Sequence, residues 1–333
     1  MGWIDGMDEQ VSLATRAAWL SYVRRLTQGE IADRLGVSRV KVHRLISLAE
    51  ELGLVSVHIA GRPAECLKLE DGLIDRYGLG FCRVVPAIDD EDQPFEALGA
   101  EGAAYLSRYL ETAGDKVIGV SHGRTLAALV NRLPRVAAPE AKFVSLMGSL
   151  TRKSSANPFD VVQRLADKTG GEGYFMPVPM AADSLGDKAV MLSQKSVQAV
   201  LALAHRATLC LVGVGELGPQ AHMLQTGVLT REEYDDLRAK GAVGDLVAQF
   251  LDAEGRRVAS EVNDRALSVG LDDLKGRRVV AIAGGAVKAD AITAALMSGM
   301  VTDLIIDESA AVAMAARRGA RPPPRRQGLR ETS

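Results

Sequence analysis

Residues able to hold an anion recur where apolar runs give way to helical patterns. Gly119-Val-Ser-His-Gly-Arg-Thr125 follows the apolar run Val117 to Val120 and precedes a helix expected from near Leu126. Glycine lets a backbone approach a ligand closely, and the first N–H groups of a helix have no partner inside it. Ser121, His122, Gly123, Arg124 and Thr125 therefore form a candidate anion cradle, with phosphate as its natural guest. Similar ends occur at Met147-Gly148-Ser149, Gly213-Val-Gly-Glu216 and Ala283-Gly-Gly285, the last followed by Lys288 in the first turn of a helical pattern. Any one of these also reads as a plain tight turn; together they mark one edge of a sheet. The run Gly213-Val-Gly-Glu-Leu-Gly218 spells GxGxxG, with Asp235 and Asp236 about 20 residues on, as a dinucleotide site requires. Pro219 and the segment Gln220 to Thr226 do not supply the long apolar helix that packs beneath a pyrophosphate, so no nicotinamide cofactor is expected. His122, His205 and His222 are scattered and form no evident acid/base pair, and Cys66, Cys82 and Cys210 contain no CxxC pair. Neither a metal nor a cofactor is called for.

A different chemistry lies near the start. Between Arg24 and Arg44 six basic residues face two acids, although the whole chain carries a net charge of -2. Affinity for nucleic acid then depends on a local surface and not on bulk charge. Thr27 followed three residues on by Glu30 predicts a capping box, with Ile31, Ala32 and Leu35 on the inner side of the helix it starts. Gly36 suits the left-handed residue that ends that helix, and Ser38 suits the cap of the next. In the second helix Val42, Leu45, Ile46 and Ala49 recur at i, i+3, i+4 and i+7 as a buried stripe. Thr27 to Leu48 thus reads as a helix-turn-helix, as against a plain helical hairpin on a surface. Arg39, Val40, His43 and Arg44 are left to meet base edges in a major groove, while Arg34, Ser38 and Lys41 are placed to hold phosphates. The partner expected is a double-stranded DNA operator.

The elements that must position both sites fit a two-domain chain. At 333 residues, 47% hydrophobic and 25% charged, the composition is that of a soluble globular protein. No run approaches a membrane span and the start lacks a secretory pattern, so a cytoplasmic location is expected. Short buried strands are expected at Phe81 to Val85, Val117 to Val120, Phe143 to Met147, Tyr174 to Val178, Leu209 to Val214, Val279 to Ala283 and Leu304 to Ile306. Helices are expected at Phe95 to Leu110, Pro158 to Thr169, Lys188 to Ala204 and Lys288 to Ser298. Such alternation means an α/β fold, a mostly parallel sheet covered by helices, with ligands at the carboxyl ends of its strands. The boundary falls at the Gly/Pro break Ala60 to Pro63, giving a helix-turn-helix domain at 1–60 and an effector domain at 61–318. Residues 319–333 read as a basic, proline-rich, disordered tail.

Taken together, YVRRLTQGEIADRLGVSRVKVHRLI, LIDRYGLGFCRVV, IGVSHGRTL, GAVGDLVAQFLDAEG and GGAVKADAITAALMSGMVTDLIIDESAA resemble the SorC/DeoR-type family of sugar-binding transcriptional regulators across nearly the whole chain. The resemblance implies a Rossmann-like effector domain similar to glucosamine-6-phosphate deaminase and ribose-5-phosphate isomerase, usually in a homotetramer. It also implies a sugar phosphate or a polyol as effector of a repressor of carbohydrate metabolism. By position it makes Ser121 to Thr125, with Gly148, part of the ligand cradle, Asp245 a sugar-hydroxyl acceptor and Lys288 a cationic contact. A carboxylate suits hydroxyl donors and an ammonium suits phosphate, though Asp245 could instead cap a turn and Lys288 be a solvated helix end. One departure stands out: some relatives carry a basic residue at the place of Met147. Arg124 could supply the charge instead, with Arg152 and Lys153 as weaker candidates.

Two other classes compete with a sugar-responsive regulator: a sugar-phosphate isomerase or deaminase, and an architectural DNA binder that senses nothing. A helix-turn-helix has no task in the first, and the cradle has none in the second. A single motif touches too little DNA for tight selection, so a homo-oligomer, dimer or tetramer, is expected. Val11, Leu13, Ala14, Ala17 and Ala18 give the helix before the motif an apolar side that either pairs subunits or packs on the motif itself.

Overall fold

The computed structural model describes residues 2–55, 63–87, 94–112, 114–149, 161–219 and 221–317. Arg152, Lys153 and the expected tail at 319–333 lie outside them, as do residues 60–62 of the expected break and 158–160 of the helix expected at Pro158 to Thr169. The chain divides into two compact units, residues 1–60 and 61–333.

In the first unit α1 (Gly2–Tyr22), α2 (Gln28–Leu35) and α3 (Arg39–Glu51) enclose one small core. The Thr27 hydroxyl accepts from the Glu30 N–H at 3.4 Å while the Glu30 carboxylate accepts from the Thr27 N–H at 2.8 Å, so the capping box is complete. Gly36 ends α2 with φ +66, and Ser38 caps α3 by accepting from the Lys41 N–H at 3.2 Å. Val42, Leu45 and Ala49 are buried against Ile31 and Ala32, with Ile46 partly so. Ala14, Ala17 and Ala18 are buried in the same core. The apolar side of α1 is thus internal to the unit, because alanines let the helix approach the pair closely; it is not left over for a partner.

The second unit opens with α4 (Ala64–Tyr77), β1 (Phe81–Val85), α5 (Phe95–Glu111), β2 (Lys116–Val120), α6 (Arg124–Arg132), β3 (Ala141–Ser145), α7 (Val162–Thr169) and β4 (Glu172–Tyr174). It continues through α8 (Leu185–Ser193), α9 (Lys195–Ala204), β5 (Leu209–Val212), β6 (Val214–Glu216), α10 (His222–Gln225), α11 (Arg231–Ala239), β7 (Ala242–Leu246) and β8 (Gln249–Asp252). It closes with α12 (Glu261–Arg265), β9 (Arg278–Ile282), α13 (Ala289–Met297), β10 (Asp303–Asp307) and α14 (Glu308–Ala315). Among the described residues, seven strands form one sheet in the order β1-β10-β9-β5-β2-β3-β4, every pairing parallel. Successive strand residues serve opposite faces: Leu209 and Leu211 join one core with Ile118, Phe143 and Val280, while Cys210 and Val212 join another with Val144, Val279 and Leu304. Burial on both faces explains why these strands read as continuous apolar runs.

The sequence expectation differs from the structure in several places, among them the strand expected at Tyr174 to Val178, which shares only Tyr174 with β4. Lys188 to Ala204 is two helices, broken at the extended Gln194. The run Leu209 to Val214 leaves the main sheet after Val212 and enters β6, which pairs antiparallel with β7, itself paired with β8. That small sheet, with its own core around Phe250 and Leu237, had no expected strand beyond its first residues. Gly148 is packed against backbone: a Cβ there would sit 2.1 Å from the Pro179 carbonyl oxygen, so the close approach of the two segments requires glycine. No helix among the described residues is long and apolar enough to cross a membrane.

Asp307, the last residue of β10, fixes the carboxyl ends of β9 and β10. It is 1% exposed, and its two oxygens accept from the N–H of Gly285 at 2.7 Å and of Ser309 at 3.1 Å. Replacing Asp307 with Ala orphans both donors. A loss of about 3 kcal/mol is expected, measured by urea unfolding.

Candidate functional site

The chain leaves the centre of the sheet in two directions, through β3 and β4 on one side of β2 and through β5, β9 and β10 on the other. Loops at the carboxyl ends of β2 and β5 therefore diverge and leave a crevice, the place where open parallel sheets bind ligands. Ser121 ties its two sides together: its N–H donates to Leu211 O at 3.0 Å and its hydroxyl accepts from Gly213 N at 3.0 Å. Above them opens a cleft of about 750 Å³, its mouth included.

One wall is the cradle. Helix α6 starts at Arg124 after Gly123, whose φ of +140 suits only glycine, and no side chain caps its first turn. The N–H groups of Arg124, Thr125 and Leu126 are left to face an anion. The Arg124 guanidinium stacks over the Phe95 ring, 4.9 Å from its centroid. His122 turns toward Ser145, Nε2 to Oγ 3.4 Å.

The other wall comes from the small sheet. Asp245 on β7 is 7% exposed and stands opposite Gly215 of β6. A Cβ on Gly215 would lie 1.9 Å from an Asp245 oxygen, so the glycine makes room for the carboxylate. The other oxygen accepts from the Ala248 N–H at 3.2 Å. Asp245 thus caps its turn and lines the cleft at once. The turn itself, Val247-Ala248, holds both residues at positive φ, +53 and +61. A two-residue hairpin needs that geometry, yet it costs a non-glycine residue roughly 1–2 kcal/mol. Lys288 enters from the start of the helix after β9; it is 8% exposed and its ammonium donates to Val214 O at 3.3 Å. It is no solvated helix end.

Burial dominates the electrostatics. It pushes the Asp245 carboxyl up to about 6, against the opposing pull of the Ala248 N–H and of Lys288, while Glu216 adds a smaller upward push. Burial and the nearby Arg124 hold the Lys288 ammonium below its usual range, and burial with Arg124 and Lys288 does the same for His222. The cleft therefore gathers two cations, Arg124 and Lys288, and two carboxyl groups, Asp245 and Glu216, against apolar surface from Phe95, Met147 and Val247. Such a lining suits a small hydroxylated molecule with an anionic end.

Of the expected residues, Ser121, His122, Gly123, Arg124, Thr125, Asp245 and Lys288 meet in this cleft, and Gly148 does not. Sequence reasoning missed Glu216, Phe95 and Val247, and set His222 apart although it lines the cleft. Glu216 lies inside the discounted GxGxxG run, whose strand-end position was the available signal. His205 stays outside, its Nε2 3.3 Å from Asp273. In the first unit Arg34, Ser38, Arg39, Val40, Lys41, His43 and Arg44 are all exposed. Arg39 folds back along α2, where a Cβ on Gly29 would lie 3.1 Å from its guanidinium.

Comparison with known proteins identifies the family. The Sugar-bind family of sugar-binding domains matches residues 61–316. The chain is 43% identical over 307 residues to the erythritol catabolism regulatory protein EryD of Brucella abortus, covering 92% of this chain and 97% of that one. It is 31% identical to the transcriptional regulator LsrR of Enterobacter sp., covering 92% and 94% of the two chains. The full-length sorbitol operon regulator SorC of Klebsiella pneumoniae superposes with a TM-score of 0.66 at 25% identity, over 91% of this chain and 98% of that one. The chain belongs to the SorC/DeoR-type family of sugar-binding transcriptional regulators.

The burial of Asp245 predicts a trade between stability and function. A carboxyl raised from 3.8 to about 6 holds its proton better when folded, so the protein loses stability as pH rises from about 4 through about 6. At pH 7 the penalty is ~3 kcal/mol. Asp245→Asn, which keeps an oxygen for the Ala248 N–H, is therefore expected to be the more stable protein at pH 7 and to lose that advantage at pH 4. Urea unfolding at the two pH values checks both the size and the sign.

Proposed function

We propose that this family member is a repressor of a polyol or carbohydrate catabolic operon. Its first unit reads a double-stranded operator, and its cleft takes a short polyol phosphate, or the free polyol, as inducer. The observation that carries the reading is the convergence in one cleft of two sets of groups, the uncapped α6 terminus with Arg124 and Lys288, and Asp245 with Glu216. Phosphate suits the first set and sugar hydroxyls the second. The similarity to a regulator of erythritol catabolism favours a four-carbon chain. The likeness of this unit to glucosamine-6-phosphate deaminase and ribose-5-phosphate isomerase belongs to the same proposal, with the site used for sensing and not for turnover.

On the DNA side α3 lies in the major groove by its first half. Arg44 is the side chain placed to pair with guanine, Val40, 65% exposed, to touch a thymine methyl, and His43 to lie beside them. Arg34, Ser38 and Lys41 hold phosphates. Arg39, folded along α2, suits a phosphate contact better than a base edge. The regulator acts as a homo-oligomer, dimer or tetramer, because paired half-sites are needed for tight selection. Inducer acts by binding one arrangement of the paired units better than the other.

A thermal-shift panel of erythritol, erythritol phosphate, sorbitol, ribose-5-phosphate and inorganic phosphate tests the ligand. Erythritol phosphate or erythritol is expected to raise the melting temperature of the wild type, and neither to raise that of Asp245→Ala or Lys288→Met. An unchanged response in both variants removes the site. For DNA, Arg44→Ala is expected to lose preference at one operator position, worth about 1–3 kcal/mol, while weakening nonspecific binding little; a competition binding assay reads the difference.

A further inference from the structure

The cleft sets two cations, Arg124 and Lys288, against two carboxyl groups, Asp245 and Glu216. A phosphate ester carries a charge of about -1.5 to -2 at pH 7, and this lining has no surplus of positive charge to meet it. Two groups in the cleft can add a positive charge near neutral pH, His122 and His222. His122 is turned toward Ser145, Nε2 to Oγ 3.4 Å. His222 begins α10, and its neighbours in the chain are anchored: Ala221 is fully buried in the core of the small sheet, and Met223 packs against that core and the main one. Fixed backbone therefore presents the ring to the cleft. The groups that face it come from every wall, Arg124 from α6, Lys288 from the start of α13, Glu216 from β6, Asp245 from β7 and His122 from the loop after β2. Each carboxylate is engaged by nearby backbone, Glu216 accepting from the Gly218 N–H and Asp245 from the Ala248 N–H. Burial, then Arg124, then Lys288 hold the His222 imidazolium below the usual histidine range, so the ring is mostly neutral at pH 7 without an anion.

We propose that His222 is the residue by which the cleft tells a phosphate ester from a free polyol: it takes up one proton as the anion arrives and donates to it, and it stays neutral beside an uncharged polyol. This deepens the assignment of the cleft as an inducer site and rests on it. Without an anion, desolvation and two like charges oppose the imidazolium. A phosphate set among His222, Arg124 and Lys288 offsets those charges and offers an acceptor to the ring N–H. The attraction is stronger in a half-buried cleft than in water, because the effective dielectric is lower. The proton comes from solvent to a ring nitrogen, the phosphate stays a dianion, and no covalent bond changes. Linkage then fixes the sign of the pH dependence. Anion binding carries a proton with it, so affinity falls as pH rises, by about tenfold per pH unit between the free and bound midpoints of the ring. The ester's own ionisation gives the opposite sign, since its dianion gains population as pH rises through about 6. A neutral polyol leaves the ring's titration where it was.

The test is histidine NMR on the full-length chain in phosphate-free buffer. Asp245 answers an anion in the same direction as His222, so the ring's own resonance is followed and not a net proton count. The chain has five histidines, and comparison with His222→Gln assigns the one that matters. Its titration midpoint is expected to rise by roughly one pH unit or more at saturating erythritol phosphate or inorganic phosphate, and to stay in place with erythritol. By calorimetry the wild type is expected to bind erythritol phosphate about tenfold more weakly at about pH 7.5 than at about pH 6.5, and His222→Gln to lose most of that slope. A midpoint that does not move while either anion binds overturns the role of His222 and leaves the inducer site standing. Binding of erythritol with no binding of either anion also overturns it, and leaves that site in its free-polyol form. Tighter binding of inorganic phosphate than of the ester overturns the ester as the ligand. If none of the three binds, the inducer site falls and this role falls with it.

Discussion

The effector half of this protein is organised around a carboxylate that the fold buries without neutralising. Asp245 is 7% exposed, and burial is the largest influence on its ionisation. Several otherwise odd features follow from it. Gly215 has to lack a side chain because Asp245 occupies that space. Val247 and Ala248 accept left-handed backbone because the turn offers the Ala248 N–H to the carboxylate. Lys288 is drawn from a helix start into a nearly dry position beside it. Strain and desolvation of this kind persist only where they are over-determined by surrounding structure, and they cluster at sites that bind.

The parallel sheet supplies the geometry. Because the chain reverses direction across β2 and β5, the loop that carries the cradle and the segment that becomes β6 part at the same point. Ser121 joins them by two hydrogen bonds, so the α6 terminus and the Asp245 hairpin sit on a common base. An effector that touches both walls replaces water around Asp245, Glu216, Arg124 and Lys288 together. The desolvation already incurred on folding is not incurred again on binding, which is what preorganisation contributes to affinity.

Local signals made much of this legible. The capping box of Thr27 and Glu30, Gly36 and the Val42-Leu45-Ala49 stripe are short-range features, and each stands as expected. The strands that core both faces announced themselves as apolar runs. What the sequence hid depends on long-range partners. β7 and β8 are joined through Val247-Ala248, which lacks the Asn-Gly or Gly-Gly punctuation by which such hairpins are recognised. Glu216 closes a glycine run that reads as a strand end or a dinucleotide motif, and neither reading assigns its carboxylate a role. Gly148 looked like one more strand-end glycine, and only the proximity of Pro179 shows its reason. The apolar side of α1 could be read two ways because pattern alone does not say which helix it meets.

The central claim is that the cleft and the operator surface are coupled, and coupling between two ligands is reciprocal. The most direct measurement is the affinity, by calorimetry, of whichever of erythritol phosphate and erythritol raises the melting temperature, with the protein free and with it saturated by operator DNA. The account predicts weaker effector binding on the operator complex, by the same factor by which effector weakens operator binding. Equal effector affinity in the two states would contradict it.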